Sequence, residues 1–88
     1  MTTVRYAPRR GALSFSGHAG AGEKGRDLVC AALSILAETA AALPGARVRR
    51  GAGRMEIEAA PEQLAPLALG CRLLARDHPR HVEYEEET

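Results

Sequence analysis

From Ala31 to Leu43 the chain carries a helical run with neither glycine nor proline, and it is apolar nearly all round. A helix of that kind must be covered on more than one side. In a chain of 88 residues the cover has to be a sheet built from the remaining segments, with a second helix or a partner subunit as the other layer. Ser34 and Glu38 interrupt the run. At about 100° per residue they fall on one face with Asp27 and Cys30, so the helix's polar stripe contains a cysteine. A structural cysteine usually lies on the apolar side as a small hydrophobe. Cys30 is therefore expected to face a cleft or water.

Asp27 is the first good N-cap before this run, its carboxylate able to accept the Cys30 N–H. The helix is expected from about Arg26 to Leu43, ending at Pro44-Gly45. That places Cys30 in the first turn, where free amides and the helix dipole favour a thiolate, while the Asp27 charge opposes it. Upstream, Gly20, Gly22 and Gly25 leave little that could pack. The segment from Ala19 to Arg26 is expected to be a mobile flap that closes over a bound peptide.

The flanking segments alternate. Thr2 to Ala7 and Ala12 to Gly17 place Val4, Tyr6, Leu13 and Phe15 on apolar faces, joined through Pro8 to Gly11 as a β-hairpin. His18 then emerges at a strand end. Ala46 to Arg50 and Arg54 to Ala59 form a second hairpin around Gly51-Ala52-Gly53, with Arg47 and Arg49 alternating so as to face Glu56 and Glu58. Pro61 to Asp77 carries the helical pattern Leu64, Leu67, Ala68, Cys71, Leu74, Ala75. Pro66 is awkward outside a first turn, so the regular helix is expected to begin near it. His81 to Glu86 gives a last strand, with a weakly apolar tail expected to fray. The order ββ-α-ββ-α-β is that of an α+β domain spanning 1–88, with one mainly antiparallel sheet and two helices.

A domain this small buries roughly 60–65% of its unfolded surface and is marginal alone, so a dimer would help it. The apolar content comes mostly from alanine, leucine and valine, with one Phe, two Tyr and no Trp, so Phe15 and Tyr6 should matter disproportionately. A net charge of +1 does not suggest a nucleic-acid binder, and no direct DNA binding is expected. Arg47, Arg49, Arg50 and Arg54 nevertheless cluster, as do Glu83, Glu85, Glu86 and Glu87. Cross-strand pairing and a solvated tail explain both. No apolar run is long enough to span a membrane and no signal peptide is visible, which points to the cytoplasm. Cys30 and Cys71 lack C-x-x-C spacing and are expected as thiols, Cys71 on an apolar face. Zinc through His18, His78, His81 and the cysteines has no supporting spacing, and no metal or cofactor is expected.

A cysteine on a polar stripe and a histidine across a flexible loop are the minimum for thiol-based acyl transfer, with His18 as the base that makes the thiolate. The run Gly17-His18-Ala19, a glycine-bearing loop, then Gly25-Arg26-Asp27-Leu28-Val29-Cys30-Ala31-Ala32-Leu33-Ser34 closely resembles the signature of the ribosomal-processing cysteine protease family Prp, also called YsxB-like. The likeness extends through the second hairpin and helix to His78-Pro79-Arg80-His81-Val82-Glu83. Leu28 and Leu33 replace commoner β-branched residues, apolar for apolar.

The resemblance implies a cytoplasmic homodimeric endopeptidase that removes the N-terminal extension of a large-subunit ribosomal protein, the twenty-seventh of the L series. It implies Cys30 as nucleophile and His18 as general base, with Gly17, Asp27 and Ser34 in supporting or substrate-binding roles. The free N–H groups of Leu28 to Cys30 are candidate oxyanion donors. The rival reading is a non-catalytic peptide- or ribosome-binding module that uses the same loop and the arginine hairpin and has no need of Cys30. A thiol redox sensor would need a resolving cysteine, for which Cys71 is poorly placed.

Overall fold

The computed structural model describes the backbone of residues 1–17 and 24–88 and the side chains of 1–17 and 28–88. Among these the elements follow as β1 (Thr2–Ala7), β2 (Ala12–Gly17), α1 (Lys24–Ala41), β3 (Arg47–Gly51), β4 (Arg54–Glu58), α2 (Pro61–Asp77) and β5 (Val82–Glu86). This is the expected α+β order. The strands form one sheet in the order β3-β4-β2-β1-β5. Pairings β1/β2, β2/β4 and β3/β4 are antiparallel and β1/β5 is parallel, so the sheet is mixed but mainly antiparallel. Each helix connects two strands that run the same way: α1 carries the chain from β2 to β3 across β4, and α2 carries it from β4 to β5 across β2 and β1.

Strand alternation decides which side the helices cover. Val4, Tyr6, Leu13, Phe15, Ile57 and Val82 are buried, and they meet Val29, Leu33, Ala37 and Ala40 of α1 and Leu64, Ala68 and Cys71 of α2 in one core. Fully burying a leucine or isoleucine of this kind stabilises by about 1.5–3 kcal/mol. The Tyr6 hydroxyl donates to the Pro61 carbonyl at 3.3 Å, tying β1 to the first residue of α2. Helix α1 is thus covered by the sheet and by α2, and the two helices pack closely where Gly70 meets Leu36. A Cβ at Gly70 would lie 3.1 Å from a Leu36 methyl group. The outer side of α1 keeps Leu28 and Ile35 at 75% and 64% exposure.

Three expectations are corrected. Helix α1 begins at Lys24, so Asp27 lies inside its first turn instead of capping it, and Cys30 belongs to the second turn. An acidic residue gains from the dipole anywhere in the first turn, so Asp27 marks the start of a helix without being its boundary. Lys24 and Arg26, good helix formers, carry the helix through Gly25; residues 24–26 are therefore not part of a flap.

Helix α2 begins at Pro61, not near Pro66. A proline at a first position loses no bond, and the Gln63 and Leu64 amides donate to the Ala60 carbonyl at 2.9 and 3.1 Å. Pro66 lies in the second turn and withholds the bond that the Glu62 carbonyl would accept. Both residues are exposed, which leaves that carbonyl to water.

The tail after Val82 is pinned rather than frayed. The Glu87 amide donates to the Tyr6 carbonyl at 2.8 Å. Arg5 lies 3.7 Å from the Glu85 carboxylate and 3.8 Å from that of Glu87, which Arg10 also reaches at 3.0 Å. The β1 edge and its cations do for this strand what apolar side chains do elsewhere.

Candidate active site

Strand β2 ends at Gly17, which pairs with Thr2 across the first hairpin and donates its N–H to the Gly53 carbonyl at 2.9 Å. Its φ of +84° is left-handed, and a Cβ there would stand 2.5 Å from the Met1 carbonyl oxygen. Only glycine suits the position. Because it has no side chain, Gly17 leaves open the space beside the start of α1.

Cys30 and Ser34 lie one turn apart on the flank of α1 that overlooks this space. With Thr2 and Gly17 they line a cleft of about 180 Å³ whose other walls, among the described residues, are Phe15, Leu33 and Ala37. Its described lining is therefore apolar apart from a thiol and two hydroxyls. Cys30 is half-buried and Ser34 exposed, as their place on the polar stripe implied. Farther along the stripe, both Arg50 Nη atoms donate to the Glu38 carboxylate at 3.1 Å. That hydrogen bond, and after it the guanidinium charge, holds the Glu38 carboxyl below its ordinary range.

The structure brings together Gly17, Cys30 and Ser34 of the expected site. His18, the loop glycines Gly20 and Gly22 and the Asp27 side chain lie outside the described residues. Thr2 lines the same cleft and was not among the residues the motif pointed to. Its signal was the hairpin register: once Ala7 and Ala12 pair across the turn, counting outward places Thr2 opposite Gly17. The amides of Leu28 to Cys30 fall beyond the first four of a helix that starts at Lys24. They are engaged within the helix and are not free oxyanion donors.

Cys71 is fully buried, and burial pushes its thiol up to about 12. Both cysteines are free, and Cys30 is the one that lines the cleft. The arginine hairpin is largely paired with acids, as expected. Arg47 stands opposite Glu58 and Arg49 opposite Glu56. Arg49 bonds Glu56, and Arg54 lies 4.0 Å from the same carboxylate. Among the described residues no helix is long and apolar enough to cross a membrane.

A family model described as "Cysteine protease Prp" matches residues 1–62. No curated protein matches the chain. Crystal structures of an essential ribosomal processing protease Prp from S. aureus, one with a covalently linked product peptide and one with a substrate peptide, share the fold with a TM-score of 0.74 each. Identity is 20% and 17%, over 99% of this chain and 100% of theirs. SMU.848 from Streptococcus mutans is similar at a TM-score of 0.71 and 25% identity, over 99% of this chain and 92% of its own. The matched segment runs from β1 into α2 and carries Gly17, Cys30 and Ser34: the chain belongs to the Prp family of cysteine proteases.

Proposed function

We propose that this protease removes the N-terminal extension of a large-subunit ribosomal protein, the twenty-seventh of the L series, in the cytoplasm, with Cys30 as nucleophile and His18 as general base. The observation that carries the reading is the cleft in which Cys30 and Ser34 meet Gly17, the residue just before His18. The thiolate sulfur attacks the scissile carbonyl, and the tetrahedral intermediate collapses as His18 protonates the leaving amine. The resulting thioester is attacked by water that His18 deprotonates, which releases the new carboxylate and restores the thiolate. The covalently linked product peptide on the S. aureus protease supports such an intermediate. Ser34 holds the thiol's surroundings or the substrate backbone, and Asp27 supports the site.

The apolar walls Phe15, Leu33 and Ala37 favour small or apolar substrate side chains at the bond. The same protein acts as a homodimer through the outer side of α1, where Leu28 and Ile35, a heptad apart, remain uncovered. The arginine hairpin is mostly engaged with acids of its own chain, which leaves the non-catalytic ribosome-binding reading with less support.

The test is incubation with the same organism's ribosomal protein, followed by intact mass. The expected result is loss of the N-terminal extension with the wild-type chain and none with Cys30→Ala. Cleavage by Cys30→Ala near the wild-type rate would end the assignment of the nucleophile, and an uncut ribosomal protein would end that of the substrate.

A further inference from the structure

We propose that the Thr2 hydroxyl is a substrate-binding group of the Cys30 cleft, hydrogen-bonded to the peptide unit next to the scissile bond; this deepens the protease reading above and rests on its nucleophile. Thr2 is the buried polar residue of the described core, 7% exposed, and it lines the same cleft as Cys30. Thr3 and Thr39 both find partners for their hydroxyls although they are less buried than Thr2, at Glu83 Oε1 and at the Ile35 carbonyl. The buried Thr2 hydroxyl has none among the described residues. Native proteins seldom leave a buried hydroxyl unpaired, and those that do commonly hold it for a ligand or water.

Its placement is rigid. The Thr2 amide donates to the His81 carbonyl at 2.9 Å, the residue stands in register between Gly17 and Val82, and a β-branched side chain is stiff at χ1. The opposite residue, Gly17, has no side chain to cover the hydroxyl. An extended peptide carries an amide and a carbonyl on every residue. Within walls made of Phe15, Leu33 and Ala37, the described partners for those groups are Thr2 and Ser34. Thr2 can donate or accept, so it serves whichever edge of the peptide unit faces the sheet when the carbonyl lies against the Cys30 sulfur. The cleft of about 180 Å³ accepts side chains of alanine size.

The test compares Cys30 alkylation by acetyl-alanyl-alanyl chloromethyl ketone, which must bind through its backbone, with alkylation by iodoacetamide, in the full chain and in Thr2→Val and Thr2→Ser. Peptide mapping locates each adduct. Thr2→Val is isosteric and should lower the ratio of the two rate constants about tenfold, the worth of one hydrogen bond, while leaving the iodoacetamide rate alone. Thr2→Ser should recover most of the ratio. Thr2→Val should also melt no lower than wild type, because no bond is lost in the free protein.

An unchanged ratio in Thr2→Val, with Cys30 reactive, overturns the role of Thr2 and leaves the protease reading standing. A lower melting temperature for Thr2→Val, or a Thr2→Ser variant as slow as Thr2→Val, shows a structural role instead and overturns it as well. If Cys30 in the wild-type chain reacts with neither reagent, the nucleophile itself is wrong.

Discussion

Gly17→Ala is the substitution whose cost can be worked most directly from the structure. The residue sits at φ +84°, where an L side chain costs about 1–2 kcal/mol. The new Cβ would stand 2.5 Å from the Met1 carbonyl oxygen, and relieving that overlap moves backbone, at about 1–3 kcal/mol. The sum is about 2–5 kcal/mol, a large part of the total stability of a domain this size. In a domain of 60–100 residues each kcal/mol shifts the melting temperature by roughly 4–8 °C, so a drop of about 8–40 °C is expected. Gly51→Ala is the control: its φ is not positive and a Cβ there meets nothing within 4 Å, so its melting temperature should stay near wild type. Thermal unfolding followed by circular dichroism measures both. Equal shifts in the two variants would refute the reasoning. At a temperature where Gly17→Ala is still folded, its peptide cleavage should remain impaired, because the strand end that carries the chain into His18 has moved.

Limited iodoacetamide at neutral pH should label Cys30 and spare Cys71, which is fully buried and whose thiol burial pushes to about 12; tryptic mass mapping decides, and preferential labelling of Cys71 would reverse the two environments. Glu38, Glu56 and Asp77 are held below their ordinary carboxyl values, chiefly by hydrogen bonds from Arg50, Arg49 and Arg76. The unfolded chain therefore binds protons first as pH falls. The stability these groups add is present above their ordinary values, 4.5 for the two glutamates and 3.8 for Asp77, and disappears as pH falls through the lowered folded values. Glu38 and Asp77 are solvent-exposed and Glu56 is half-buried beside exposed arginines, so the acid-side loss of melting temperature should be shallow and should shrink in high salt; a loss that salt leaves untouched would assign it to other groups. Leu28→Glu with Ile35→Glu should convert a dimer to a monomer in sedimentation without unfolding it. An unchanged mass would remove the outer side of α1 as the interface.

The strands were the most legible part of the chain because a half-buried two-layer fold imposes alternation. Val4, Tyr6, Leu13, Phe15 and Ile57 mark one face without ambiguity, and the turn residues between them set the hairpin registers. The sheet order was not legible, since nothing local in Val82 to Glu86 says that it pairs with β1 in parallel. The polar stripe of α1 placed Cys30 and Ser34 together on the flank that lines the cleft because a helix has a single period. The start of that helix misled because Asp27 satisfies two rules at once, that of a cap and that of an acid in the first turn. Pro66 misled for a similar reason: an exposed carbonyl tolerates the loss of its donor, and exposure cannot be read from the pattern. Thr2 escaped notice because its importance lies in what stands across from it, a relation between strands and not a motif.

The parallel pairing of β1 with β5 ties the cleft to the far end of the sequence. Thr2 begins the strand that borders the cleft, yet its amide is held by His81, and Thr3 and Glu83 are 80 residues apart in sequence. Closing so long a loop carries an entropic cost. Until residues 82–86 dock, β1 has an open edge and the floor beneath Cys30 has no fixed end. The strand that borders the cleft is therefore held by residues from the opposite end of the sequence, and a change within residues 82–86 reaches the Cys30 cleft through β1.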